Sequence, residues 1–274
     1  MNKDALEIPQ AAIAETGPVS WVRILGVRLS RITLQETIER MVRWIRSGQR
    51  RRICVVPTNG VLDAYRNAAL RQIYNTADLV LPDGMPLVWA SRLYGEPIPE
   101  RVTGLDLFPA FCARSAREGF RFFLLGSRPE VLDTLRKQLP LRYPGLQIVD
   151  AYSPPFRERF TDRENAYMLE RIEAARPDVL WVSLSAPKQD FWIAEHFDRL
   201  TVPLAIGIGA ALDAEAGRWR RPPRWMQHMG LEWLARLVQE PRRLGRRYAR
   251  ATLFLPLLLW DVMHTRIGKR KVLP

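Results

Sequence analysis

A chain of 274 residues with 47% hydrophobic side chains can bury a full core, which excludes a disordered protein and leaves one large α/β domain or one domain with an appendage. Its two cysteines, Cys54 and Cys112, lack CxxC spacing and exclude a disulfide framework or a zinc ribbon. The net charge of +13 is concentrated at one end: after Gly217, fourteen Lys and Arg stand against Glu232, Glu240 and Asp261, so the partner is anionic, either nucleic acid or an anionic membrane surface.

The opening residues MNKDALEIPQ carry no basic region followed by an apolar one, so residues 1–20 read as a tail and the protein as cytoplasmic. Residues 21–47 start as an alternating, strand-like segment. They turn helical after Thr33, which together with Glu36 has the spacing of a capping box. This reads as an edge element leading into the core. Short β-rich runs follow, separated by helical stretches: RICVVP (52–57), LVLP (79–82), RFFLLG (121–126), QIVDAY (147–152), VLWVSLS (179–185) and LAIGIG (204–209). Such alternation implies right-handed crossovers and a mostly parallel sheet. The predicted fold is a Rossmann-like α/β core over 21–217. From Arg218 the chain becomes rich in Arg, Trp and Leu, and Pro222, Pro223, Pro241 and Pro256 cut it into short helices, so 218–274 reads as a C-terminal appendage.

Open parallel sheets bind ligands outside the carboxyl ends of their strands, so the residues after each strand are the candidates. The first exit offers Thr58, Asn59 and Gly60; the second, Asp83 and Gly84. The third is Gly126-Ser127, where Ser127 and Glu130 signal a helix start suited to an anion. Lys188 and Gln189 follow the fifth strand, a cation and a two-way hydrogen-bonding group. Gly207 and Gly209 follow the sixth, where missing side chains allow close approach to backbone, and Asp213 lies just beyond. Each alone is as easily a turn or a cap; together at one sheet edge they point to a site. HExxH, GxSxG, Walker A and DxD patterns are missing, and His196, His228 and His264 are widely spaced, so neither a metal nor a cofactor is expected. A leaving diphosphate would then have to be met by backbone amides and cationic side chains.

The segments VVPTNGVLDAYRN, ADLVLPDGMPLVWASRLYG, ERVTGLDLFP, FFLLGSRPEVL, SLSAPKQDFWI and GIGAALDAEAGRWRRPPRWMQHMGLEWLARLVQEPRRLGRRY resemble, in order, the WecG/TagA/CpsF glycosyltransferases. The resemblance runs from about Ile24 to Tyr248. It implies an inverting, metal-independent transfer from a UDP-sugar to an undecaprenyl-diphosphate-linked saccharide at the cytoplasmic face of a bacterial inner membrane. It also implies a Rossmann-like core with a membrane-associating appendage. Asp83 matches the proposed catalytic base, Asn59 an active-site asparagine, and Arg101, Thr103 and Gly104 the RxTG segment. Arg101 is then a phosphate contact, and Lys188 and Gln189 donor contacts. Pro57 departs from the family pattern, which often has Thr there; Thr58 comes one place later.

In the tail, Arg243, Arg247 and Arg250 share a helical face, with Arg242 and Arg246 beside them. TLFLPLLLW (252–260) is roughly half the ~20 apolar residues that span a bilayer, and Pro256 interrupts it. A helix lying in the interface on anionic headgroups is expected, with Leu231, Leu234 and Leu237 packed on the core. No nucleic-acid module is recognisable, so nucleic acid is not expected as partner. The apolar tail could instead pair two subunits, which leaves a homo-oligomer open. The alternative to catalysis is a nucleotide-sugar-binding scaffold at the membrane.

Overall fold

The computed structural model describes residues 17–219, 221–223, 226, 229, 231–239, 245 and 251–270. A hairpin of β1 (Trp21–Ile24) and β2 (Val27–Ser30) precedes α1 (Leu34–Arg46). Then come β3 (Arg51–Pro57), α2 (Thr58–Arg66), α3 (Ala68–Asn75), β4 (Leu79–Asp83), α4 (Met85–Leu93) and α5 (Gly104–Glu118). The rest of the sheet region is β5 (Arg121–Gly126), α6 (Pro129–Arg142), β6 (Gln147–Tyr152), α7 (Asp162–Ala175), β7 (Val179–Ser183), α8 (Lys188–His196), β8 (Leu204–Gly207) and α9 (Ala211–Glu215). Two more described helices follow, α10 (Glu232–Gln239) and α11 (Phe254–Arg270).

The six predicted strands form one parallel sheet in the order β4-β3-β8-β7-β5-β6. Their apolar runs lack polar alternation because both faces are covered. Period-two geometry still sorts them: Ile53, Val55, Leu79, Leu81, Phe122, Leu124, Val179 and Trp181 join α1, α5, α6 and α9. Cys54, Val56 and Val80 face the hairpin, α2, α3 and α4, while Phe123, Leu125, Leu180 and Val182 face α7 and α8. Trp181 is fully buried, with Phe108 edge-on at 5.1 Å. The Thr33 capping box forms as expected, with Thr33 N–H donating to Glu36 Oε2 at 2.8 Å and Glu36 N–H to Thr33 Oγ1 at 3.1 Å.

The strand-like segment from Trp21 forms a separate antiparallel hairpin beside the edge strand β4, closed by Leu25 and Gly26 at φ 49° and 82°, and it lays Val22, Ile24, Val27 and Leu29 on one sheet face. Two expectations need correction. Pro256 does not interrupt the apolar run of the tail. It sits in the first turn of α11, where a missing N–H costs no helical hydrogen bond. Leu234 does not pack on the core; it is 40% exposed.

Helix α11 seats Phe254 and Leu258 against the hairpin side of the sheet, and its Asp261 accepts a hydrogen bond from the Tyr94 hydroxyl. Leu255, Leu259, Trp260 and Met263 remain exposed. Among the described residues no helix is long and apolar enough to cross a membrane. Arg242, Arg243, Arg246, Arg247 and Arg250 lie outside the described residues.

One carboxyl is buried in this framework. Asp190 of α8 is 1% exposed, and the Tyr74 hydroxyl of α3 stands 3.5 Å from its Oδ2. Burial pushes its pKa up to about 7, against the pull of Tyr74, its own backbone N–H, Cys54 and Arg52. Above the unfolded pKa of about 3.9 the unfolded chain has released a proton that the native carboxyl still holds. Folding stability from this group therefore falls as pH rises from about 4 to 7 and stays low above it. Asp190→Asn removes that slope. In urea unfolding, the variant should gain on the wild type between pH 5 and pH 8 by on the order of a few kcal/mol; a constant difference across that range contradicts the assignment.

Candidate active site

The carboxyl ends of β3 and β4 lie side by side, with Pro57 opposite Asp83 in the parallel register. Gly84 leaves β4 at φ 135°, a backbone conformation that side chains resist, and opens α4. A Cβ on Gly84 would stand 3.8 Å from Thr58 Oγ1, so the two exits touch. Asp83 is half-buried at this junction. Asn59, in the first turn of α2, is 9% exposed and its Oδ1 accepts no hydrogen bond. Leaving such an acceptor unpaired costs about 1–3 kcal/mol, a cost that a ligand donor would remove.

The RxTG segment is bound to the same edge, since Val102 N–H donates to Pro82 O at 3.0 Å. Thr103 caps α5 by accepting from Asp106 N–H at 3.1 Å and donating to Asp106 Oδ2 at 2.8 Å. Gly104 is pressed on the β8 exit: a Cβ there would come within 2.9 Å of Ile208 O. Arg101 donates from Nη1 to Glu232 Oε2 at 2.7 Å, and its Nη2 is 3.8 Å from Asp106. Arg221 meets Asp106 at 2.7 Å and Glu232 at 3.2 Å, while its buried Nη2 has no partner. Burial works against ionisation of Asp106, but the Arg221 guanidinium, Thr103 and Arg101 together hold its pKa below the usual value. The sequence reading passed over Arg221, Glu232 and Asp106. Asp106 stands only three residues after Thr103, the spacing of a helix N-cap, whereas Arg221 and Glu232 come to Arg101 only through the fold.

On the other half of the edge, Gly126 runs at φ 95° and a Cβ there would lie 2.5 Å from Ser183 O, so no larger residue fits. Ser127 was read as a helix cap, and the structure corrects this. The N-cap of α6 is Arg128, without a side-chain bond, and Ser127 Oγ instead donates to Asp213 Oδ2 at 3.2 Å. Asp213 also has Arg218 Nε at 3.6 Å. Gln189 is likewise not an open two-way group. It is buried, its Oε1 accepts from Gly209 N–H at 3.0 Å, and its Nε2 lies 2.9 Å from where a Gly207 Cβ would be. It builds the β8 exit. Lys188 Nζ donates to Arg157 O at 2.5 Å and sits 3.5 Å from the Phe160 ring centroid, bracing the loop before α7; burial lowers its pKa.

The predicted residues thus fall into two linked groups. Thr58, Asn59, Asp83, Gly84, Arg101, Thr103 and Gly104 surround the β3/β4 exits. Gly126, Ser127, Gln189, Gly207, Gly209 and Asp213 surround the β5, β7 and β8 exits. Gly104 against Ile208 joins the two. Among the described residues no group of three or more His, Cys, Asp or Glu converges in a way that could hold a metal ion. The arrangement brings a carboxylate, an unpaired amide oxygen and two guanidiniums to one sheet edge, the kinds of group that can deprotonate a hydroxyl and receive a phosphate.

Known proteins are similar in sequence to two thirds or more of this chain. An N-acetylglucosaminyldiphosphoundecaprenol N-acetyl-beta-D-mannosaminyltransferase from Staphylococcus aureus (strain MW2) is 26% identical over 263 residues, covering 95% of this chain and 98% of that protein. A protein of the same name from Bacillus spizizenii is 29% identical over 187 residues, 67% of this chain and 69% of that one. The family model described as "Glycosyl transferase WecG/TagA/CpsF family" matches residues 22–271, from the hairpin through α11, and the chain belongs to that family of glycosyltransferases.

Proposed function

We propose that this glycosyltransferase moves a sugar from a UDP-sugar to a saccharide carried on undecaprenyl diphosphate, with inversion and without a metal. The observation that carries the reading is that the strand exits bearing Asp83 and Asn59 lie side by side, and that the Arg101–Glu232–Arg221 cluster is tied to the same sheet edge through Val102 N–H and Pro82 O. The relatives' names support the acceptor, since both act on N-acetylglucosaminyldiphosphoundecaprenol. The beta configuration in those names is what a single displacement gives from an α-linked nucleotide sugar.

In the proposed step the acceptor oxygen attacks the anomeric carbon while Asp83 takes the hydroxyl proton. The new C–O bond forms opposite the bond to the diphosphate. That bond breaks, its electron pair passing to the phosphate oxygen, and UDP leaves. Arg101 and Arg221 stand ready for the growing negative charge, and backbone N–H groups of the glycine turns add donors that need no reorganisation. The Asn59 amide oxygen accepts from a sugar or acceptor hydroxyl.

Replacing Asp83 with Asn should lower transfer by roughly 10²–10⁴-fold while leaving UDP affinity within about two-fold, assayed across a panel of UDP-sugars beginning with UDP-N-acetylmannosamine. Turnover equal to wild type would remove Asp83 as base. Because no metal takes part in the proposed step, the rate in excess EDTA should equal the rate with added magnesium or manganese. A rate abolished by EDTA and restored by one of these ions refutes the metal-free step.

The exposed Leu255, Leu259, Trp260 and Met263 of α11 and the arginines at 242, 243, 246, 247 and 250 support peripheral association with the anionic cytoplasmic face of the membrane. Truncation at residue 242 would strip Phe254 and Leu258 from the core, so the sharper variant changes the five arginines to Gln. That variant should lose flotation with anionic liposomes at physiological salt; full retention would rule out the basic segment as the anchor.

A further inference from the structure

Beneath the candidate site the fold carries a polar pair that the transfer step does not use. Tyr74 and Asp190 are each 1% exposed, one on α3 and one on α8. The Tyr74 hydroxyl stands 3.3 Å from where a Cβ on Gly60 would be, beside Val56 at 3.1 Å and Pro57 at 3.2 Å, so it supports the underside of the turn that carries Asn59. Asp190 immediately follows Gln189 in the first turn of α8, its N–H donating to Pro187 O at 3.0 Å, so the residue that meets Tyr74 lies in the same turn as Gln189. From that turn Gln189 reaches Gly209 N–H. One oxygen, Asp190 Oδ1, accepts no hydrogen bond. For stability alone an apolar pair of similar volume would serve as well or better, because burying a carboxyl is costly.

We propose that the buried Tyr74–Asp190 pair is a positioning element for glycosyl transfer, holding the turn of Asn59 and the turn built by Gln189 in one fixed relation across the crevice. The proposal rests on the functional reading above for its effect on turnover, and on geometry alone for its effect on the two turns. The other titratable groups facing the pair are Cys54 and Arg52 of β3, which act on Asp190, and Asp63 of α2, which acts on Tyr74. β8 presents Gly207 and contributes none. Ionisation of Asp190 strengthens the hydrogen bond that Tyr74 donates, so the pair is tightest above the carboxyl pKa of about 7.

The test compares full-length wild type, Tyr74→Phe and Asp190→Asn in two measurements. In transfer assays Tyr74→Phe should lose about ten-fold in kcat with KM for both substrates within about two-fold, as expected for misplaced rather than missing contacts. Asp190→Asn keeps the shape and a hydrogen-bond acceptor, so it should hold more of the rate and lack the rise of kcat through pH 7 that is expected of wild type. Independently of turnover, hydrogen exchange should quicken in both variants at residues 58–61 and at 207–210 together. Wild-type kcat in Tyr74→Phe, or a loss confined to KM, overturns the role in transfer. Exchange that quickens only around residues 74 and 190 overturns the coupling itself, whichever donor the enzyme uses. An inactive wild type across all donors counts against the functional reading, and the exchange experiment still decides the coupling.

Discussion

Six parallel strands covered on both faces leave their backbone one place to meet a ligand, the strand ends. Every residue of Val179–Ser183 is buried, and so is every residue of Leu204–Gly207, so the strands themselves can offer no chemistry. The polar groups are pushed into the turns, and the turns are held close by the sheet's own register. Pro57 beside Asp83 and Gly126 beside Ser183 are consequences of strand pairing. The fit is close enough that a single methyl at Gly126 would collide with Ser183 O. Packing of this kind fixes the Asp83 carboxylate at the strand exit and leaves the Asn59 Oδ1 acceptor unpaired.

The cations at this edge are neutralised from within. Arg101 and Arg221 face Asp106 and Glu232, two positive charges against two negative ones, partly shielded from water. At an effective dielectric of 20, one such pair at 4 Å is worth about 4 kcal/mol, which offsets much of the desolvation that partial burial imposes. The buried Arg221 Nη2 is a donor that neither pair uses. Glu232 belongs to α10, 131 positions from Arg101, so this pairing ties the C-terminal part of the chain to the RxTG segment.

The sheet was legible because apolar runs buried on two faces have a length and flanking chemistry that helices lack. All six runs became strands within a residue or two. Asp83 and Gly84 could be read because they form a turn at a strand exit whose shape their own residue types favour, whereas Thr103 and Gly104 were found through the family resemblance of the RxTG segment. Ser127 and Gln189 misled for a common reason. A serine before a helix and a glutamine after a strand have several available partners, and the choice is made by residues far along the chain, Asp213 and Gly209. Arg221 and Glu232 lie within a segment that carries the family resemblance, but their pairing with each other and with Arg101 could not be read, since an ion pair across the fold has no period and no fixed spacing.

Helix α11 shows how far a composition argument reaches. Its apolar residues divide into two stripes. Phe254, Leu257, Leu258 and Val262 point at the protein, and Leu255, Leu259, Trp260 and Met263 point away from it. A single docked stripe is the ordinary amphipathic pattern, so the first explains why the helix stays on the core. The second has no such partner among the described residues, and contiguous exposed apolar surface is costly in water. At 1.5 Å per residue the stripe from 255 to 263 is only about 12 Å long, too short to cross a bilayer and suited to lying along one. The Asp261 carboxylate is turned inward to Tyr94, which removes the acidic group that would oppose an anionic surface. The same helix thus carries one apolar face docked on the core and a second that is exposed.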